Sequence, residues 1–167
     1  MQIDLYDTPK QKMTSFLFRR AKQSDLDEII NLLADDELGK HRENLSEKIF
    51  SNYQNAFERI NADPNQFLMV IEENGAILGT CHLTLIPSLT FQGGLRMNIE
   101  AVRIATSCRG QGVGEWMIQQ AISLGQKEGC KIIQLTTNKE RADAKRFYEK
   151  LGFTATHEGM KMYLETS

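Results

Sequence analysis

The chain has 167 residues, 41% hydrophobic and 25% charged, with a formal net charge of −2, a size and balance that suit one compact domain with a buried core. Without a basic excess a nucleic-acid backbone is not expected as its partner, and no run approaches the roughly 20 apolar residues that a membrane-crossing helix needs. The three cysteines, Cys81, Cys108 and Cys130, stand far apart with no C-x-x-C pair and no nearby histidine pair, so neither a disulfide framework nor a metal site is expected; with an acidic start that lacks an export signal, this points to a reducing, cytoplasmic setting.

Residues 1–14 read as a polar lead-in and residues 15–167 as one mixed α/β domain without repeats or internal linkers. Phe16 to Arg20 is a first strand. Ser24, followed by Asp25 and Asp27, reads as a hydroxyl cap with acids in the first turn of a helix whose apolar face is Leu26, Ile29, Ile30 and Leu33, with Gly39 beyond its end. A second helix runs from Ser46 to Asn61, carried by Ile49, Phe50, Tyr53, Phe57 and Ile60. Two strands follow, Phe67 to Ile71 and Ile77 to Leu85, joined at Asn74-Gly75, a pair that tolerates the positive φ of a tight hairpin. Pro87 to Gly94 is a loop, and Leu95 to Ile104 the next strand. A helix spans about Gly112 to Glu128, Ile132 to Thr137 is a short strand reaching Asn138, and Ala142 to Leu151 is a last helix stopped by Gly152. Two final strands flank Gly159, for a sheet of about seven strands and about four helices.

The most informative stretch is Arg109-Gly110-Gln111-Gly112-Val113-Gly114, set between the strand alternation Val102-Arg103-Ile104 and the helical stripe Trp116, Met117, Gln120, Ala121, Leu124. A glycine-rich turn between a strand and a helix leaves backbone N–H groups unobstructed, with the positive end of the helix dipole behind them, and so suits a phosphate-bearing ligand. A nucleotide triphosphatase loop would end Gly-Lys-Ser/Thr; here Gly114 is followed by Glu115-Trp116, which rejects it. A dinucleotide loop would read Gly-x-Gly-x-x-Gly with an acid about 20 residues on, and this turn is one residue short, with Gln134 near the acid's place. A tight turn without any ligand is the remaining alternative.

Asn98 to Gly114, with Arg109, Gly112 and Gly114 filling Arg/Gln-x-x-Gly-x-Gly/Ala after a hydrophobic strand, resembles the acyl-CoA-binding motif of the GCN5-related N-acetyltransferases. A second signature follows: Thr136-Thr137-Asn138, then Arg141, Ala144 and the run Phe147-Tyr148-Glu149-Lys150-Leu151-Gly152-Phe153. The order of elements agrees, and the resemblance covers roughly residues 16 to 165. It implies a single-domain α/β fold with a mixed, mostly antiparallel sheet, and acetyl transfer from acetyl-CoA, without a metal, to a primary amine by direct attack in a ternary complex. Small-molecule acceptors are favoured, because nothing suggests a docking module for a large partner. An acyl-CoA-binding sensor without turnover is the alternative. The resemblance leaves open a homodimer through the C-terminal strands.

On this resemblance the backbone N–H groups from Gly110 through Gln111, Gly112 and Val113 to Gly114 hold the cofactor's pyrophosphate, with Arg109 beside them. Val102, Arg103 and Ile104 line the pantetheine arm, where a backbone N–H polarises the thioester carbonyl; Asn138 and Ala144 belong to the same cofactor site. Glu100 takes the proton that an ammonium must lose before it attacks, its pKa raised by burial in an apolar strand; a solvated strand residue is the plain alternative. Tyr148 donates a proton to the departing thiolate, where pattern alone gives a core tyrosine. Asn138 serves equally as a helix cap. Cys108 is expected to be a small core residue rather than an activated thiol. Asp35-Asp36-Glu37, His41, Arg103 and His157-Glu158 are candidates for acceptor contact, each with an ordinary surface role as alternative, and His82 reads as a strand residue only.

Overall fold

A computed structural model describes residues 15–35, 39–43 and 46–164; the lead-in and the Asp36-Glu37 part of the acidic cluster lie outside these. The elements run β1 (Leu17–Arg20), α1 (Leu26–Ala34), α2 (Glu47–Ala62), β2 (Gln66–Glu73), β3 (Ala76–Ile86), α3 (a single turn, Thr90–Gly93), β4 (Arg96–Ile104), α4 (Val113–Lys127), β5 (Ile132–Leu135) and α5 (Ala142–Lys150). The five strands form one sheet in chain order, with every neighbouring pair antiparallel except β4 and β5, which are parallel.

The β2–β3 hairpin closes at Asn74 (φ 51) and Gly75 (φ 85), both in the left-handed region that a two-residue turn of this hand requires. Alternation along the strands separates two cores. On one face Met69, Ile71, Cys81, Leu83, Leu85, Met97 and Ile99 meet Val113, Met117, Ile118 and Ala121 of α4. On the other, Val70 meets Ala21, with Leu26 and Ile29 of α1 and Phe57 of α2. The helix α4 lies close against β4 and β5 because Gly125 has no side chain: a Cβ there would stand 2.9 Å from Ile133 Cδ1 and 3.3 Å from Met97 Sδ. That approach fixes where the helix N-terminus emerges.

Three expectations are corrected. The cap at the first helix is Asp25, not Ser24: a 3-10 turn over Gln23–Asp25 precedes α1, and the Asp25 carboxylate accepts the Lys22 N–H at 2.7 Å. The buried carboxylate also receives two hydrogen bonds from Arg19, at 2.7 and 3.1 Å, while Arg19 bonds Glu72 at 2.6 Å. Among the described residues the sheet has five strands and there are five α-helices, rather than about seven and about four. The stretch around Gly159 forms no strand: Met160, Met162, Tyr163 and Leu164 are all largely exposed, and β5 remains an edge. Alternating apolar residues make a strand only where a neighbouring edge accepts their backbone groups.

The Arg19 guanidinium holds the Asp25 carboxyl below the usual carboxylate range, so its stabilisation is fully present above that range and is lost as pH falls below it, through the depressed folded value. Asp25→Ala removes one partner from a largely buried ion pair and should cost about 3 kcal/mol at neutral pH, with the difference from wild type shrinking in acid. Urea midpoints at the two pH values measure it; equal midpoints at neutral pH would rule it out.

Candidate active site

The site is made where β4 parts from β5. Their parallel ladder joins Arg96–Ile99 to Ile132–Leu135 and ends there, whereas β4 continues on its other side, paired to β3, as far as Ile104 opposite Gly79. Beyond Ile99 the β4 backbone therefore has no β5 partner, and its edge on that side is unpaired among the described residues. Parallel strands in this arrangement present an extended edge to which a ligand's amides can bond like an added strand.

The same strand carries a bulge. His82 pairs with Glu100 but Thr80 with Arg103, so one residue of β4 is extra; the chain takes it up at Ala101, whose φ of 53 lies in the left-handed region. The bulge changes the phase of the strand. Met97 and Ile99 before it, and Val102 and Ile104 after it, all pack on the α4 core. Asn98, Glu100 and Arg103 fall together on the opposite face, alongside His82. In a regular strand Glu100 and Arg103, three residues apart, would be on opposite faces.

At the open end of β4 the chain turns through Thr106–Cys108 into the glycine loop. Gly110 (φ 72) and Gly112 (φ 82) are both left-handed, and a Cβ at Gly110 would meet open space. Gly112 is the N-cap of α4, so the N–H groups of the first turn precede any intrahelical acceptor and point out of the helix start. Gln111 bonds the Ser107 carbonyl at 2.8 Å and braces the loop. Gly114 lets Ile104 and Phe147 approach its backbone, at 3.5 and 3.7 Å from a built Cβ. Backbone N–H groups, a helix dipole and unobstructed space are the features a pyrophosphate needs.

The Arg109 guanidinium is turned toward the protein: Nε donates to the Ile104 carbonyl at 3.1 Å and Nη2 to the Asp35 carbonyl at 2.9 Å. The Asp35 carboxylate accepts from Thr106 at 2.6 Å and pairs with Arg109 at 3.6 Å. Asp35 thus ties the end of α1 to the glycine loop, and its carboxylate is engaged there rather than turned toward an acceptor. Spacing in the sequence gives no sign of this contact.

Glu100 is 58% exposed, so the burial expected of it is not met. The strand is apolar on its α4 face only, and Glu100 sits on the other. Its carboxylate accepts from Asn98 Nδ2 at 2.9 Å and lies 3.7 Å from His82 Nδ1. His82, read from sequence as a plain strand residue, stands beside Glu100 on β3. The Asn98-x-Glu100 spacing was visible in the sequence as one strand face, but the β3–β4 register was not.

Tyr148 stands on α5 between Phe147 and Phe153, with ring centroids at 5.0 and 5.9 Å. Burial pushes its phenol above the ordinary tyrosine range, the Cys81 side chain adds to this, and Arg103 and Arg141 pull the other way. The phenol is protonated at neutral pH and can donate. Ala144 lies one helical turn before it, half-buried. Asn138 is exposed, and its side-chain oxygen accepts the Glu140 N–H at 3.0 Å in a turn leading into α5. Cys108 is half-buried against the α4 core. His41 is exposed, and His157 bonds its neighbour Thr156 at 2.7 Å. Among the described residues, no cluster of histidine, cysteine and carboxylate side chains is placed to hold a metal ion, and no helix is long and apolar enough to cross a membrane.

Residues 26–153, which span both the glycine loop and α5, match the model of the acetyltransferase (GNAT) family. The chain belongs to that family. Glucosamine 6-phosphate N-acetyltransferase of Trypanosoma brucei brucei is 31% identical over 93 residues, which are 56% of this GNAT chain and 61% of the trypanosomal protein. Aminoalkylphosphonate N-acetyltransferase of Salmonella typhimurium is 26% identical over 139 residues, 83% of this chain and 85% of that one. The alignment to the first of these relatives thus spans less than two thirds of its length. Among solved structures, one described as a transcriptional regulator from Bacillus halodurans has a TM-score of 0.86 at 43% identity, covering 89% of this chain and 99% of its own.

Proposed function

We propose that this GNAT chain transfers an acetyl group from acetyl-CoA to the primary amine of a small molecule, by direct attack within a ternary complex. The observation that carries the reading is that the β4–β5 ladder ends at Ile99 while β4 runs on toward the glycine loop: a helix start with free N–H groups follows an unpaired strand edge, which suits a ligand with a phosphate at one end and an amide-bearing arm. Acetyl-CoA supplies the activated acyl group as a thioester. Gly110 to Gly114 hold its phosphates, and the β4 edge at Val102 to Ile104 aligns its arm and offers a backbone N–H to the carbonyl that gains negative charge. Glu100, on the α1 side of the sheet, receives the proton of the incoming ammonium. The Tyr148 hydroxyl donates to the departing sulfur.

Two N-acetyltransferase relatives whose names specify small amines that carry a phosphate or phosphonate support a small-molecule acceptor. Release of free CoA thiol from acetyl-CoA, measured across amino sugars and their phosphates, aminophosphonates, polyamines, amino acids and short peptides, tests it. Transfer to a single class of small amines is the expected result; release with peptides alone would overturn the choice of acceptor.

A second reading, an acyl-CoA-binding regulatory domain without turnover, is favoured by the description of the 43%-identical structure as a transcriptional regulator. It predicts acetyl-CoA binding with silence across the whole panel. The proposal also includes a homodimer built on the C-terminal stretch, supported by the exposure of Met160, Met162 and Leu164 on alternate positions near an open sheet edge. Sedimentation as a monomer at assay concentration would remove that part.

A further inference from the structure

The acetyl-transfer reading uses Glu100 as its proton acceptor, and the inference here rests on that reading. Glu100 is a long side chain on an open strand face, and an exposed carboxylate of this kind samples several rotamers. Two neighbours limit it. Asn98 holds Oε2 from the same strand at 2.9 Å. Across the ladder His82 stands directly opposite, with Nδ1 at 3.7 Å from Oε1.

His82 is an unusual occupant of its position. Its side chain is 14% exposed, between the core residues Cys81 and Leu83 in sequence and beside Leu68 of β2 in register. Its Nε2 is buried and makes no hydrogen bond among the described residues. A buried polar atom without a partner costs stability, and an aliphatic side chain would fill a strand site like this without that cost. The charged groups sharing its sheet face are Glu100, Arg103 and Arg96 of β4 and, farther across the sheet, Arg19 of β1 and Glu72 of β2, which bond each other while Arg19 also bonds Asp25; of these Glu100 is the one paired with His82 in register. Leu68 on β2, Thr80 and Thr84 on β3, and the Leu26, Ile29 and Ile30 side of α1 bring none. Burial holds the imidazole below the ordinary histidine range, against the pull of the Glu100 charge. The ring is neutral at pH 7, and the nitrogen that faces a carboxylate is the one that carries the proton.

We infer that His82 is a positioning residue: from the Nδ1–H side of its neutral ring it works with Asn98 to hold the Glu100 carboxylate toward the amine. The 3.7 Å separation closes to a hydrogen bond when an ammonium occupies the site, as contacts of this kind tighten on substrate binding. In the step it serves, an N–H bond of the ammonium breaks, an O–H bond forms on Glu100, and the nitrogen lone pair is freed for attack. Glu100 then passes the proton to solvent through its exposed side. His82 itself neither gains nor loses a proton.

Four variants test this in the full chain: His82→Leu, His82→Asn, His82→Gln and Glu100→Gln. The leucine variant should lower kcat about 10-fold while leaving the KM for the amine within about two-fold, because the carboxylate loses its orienting donor only in the ternary complex. Acetyl-CoA affinity should stay within about two-fold, since the proposed cofactor site lies at the glycine loop and the unpaired β4 edge rather than at His82. Asparagine places its amide nitrogen near the Nδ1 position and should restore the rate. Glutamine, which reaches toward the Nε2 position, should not. In the Glu100→Gln background His82→Leu should cost nothing further. An undiminished kcat in His82→Leu, or a full additional loss in that background, overturns the inference.

Ring-nitrogen NMR tests the pairing without turnover. His82 should show the Nδ1–H tautomer, and its titration should move to lower pH in Glu100→Gln; an unchanged titration overturns the pairing. A wild-type protein that acetylates no amine overturns the acetyl-transfer reading and, with it, the part of His82 in proton transfer, and the NMR result then separates that failure from a failure of the pairing.

Discussion

Gly112→Asp should abolish acetyl-CoA binding while leaving the protein folded. Gly112 sits at φ 82 as the N-cap of α4, a position where aspartate is tolerated: it is among the few residues that enter the left-handed region at modest cost, and a carboxylate at a helix start interacts well with the dipole. For the same reason it is damaging to function. The new carboxylate would compete for the N–H groups that otherwise face the ligand, and would stand against the negative charge of a pyrophosphate. Two like charges about 4 Å apart repel by about 4 kcal/mol at an effective dielectric near 20. A rise in Kd of roughly three orders of magnitude follows from that figure. Isothermal titration with acetyl-CoA reads the affinity, and thermal melting checks the fold. A Kd within about three-fold of wild type would exclude the glycine loop as the phosphate site.

Tyr148→Phe should lower kcat by about two orders of magnitude, the lower part of the range for losing a positioned acid, with acetyl-CoA affinity nearly unchanged. Phenylalanine retains the edge contacts that the ring makes with Phe147 and Phe153, so α5 should stay in place. Only the hydroxyl is removed, and burial keeps that hydroxyl protonated through the neutral range. The loss should therefore appear in kcat rather than in the acetyl-CoA Kd. In the pH profile, wild type should lose rate only above the ordinary tyrosine range, and the variant should lack that alkaline limb. Comparable loss of binding and of rate would instead make Tyr148 a packing residue of the cofactor site.

The fold was legible wherever a local pattern decides the structure. The Asn74-Gly75 turn, the apolar stripe of α4 and the glycine loop that starts it are set by neighbours in the chain, through left-handed backbone, helical period and capping. The cap at α1 was misread because Asp25 draws a partner, Arg19, from another element. The C-terminal strands were misread because their alternation is real but has no paired edge in the described fold. The candidate site divides in the same way. Arg109, Gly112, Gly114 and Tyr148 stand in contiguous motifs. Engagement of Arg109 by Asp35, 74 residues away in the chain, does not.

By itself, then, the sequence determined the element order from β1 to α5 apart from the single turn of α3, and the glycine-rich turn that starts α4, because each depends on residues close in the chain. Only the tertiary structure decided that β4 leaves β5 after Ile99, that a bulge at Ala101 places Glu100 and Arg103 on one face, and that His82 stands opposite Glu100. These are matters of register between strands, and a shift of a single residue turns every side chain to the other face. Register is fixed by the simultaneous packing of both faces of the sheet, which no short stretch of sequence contains.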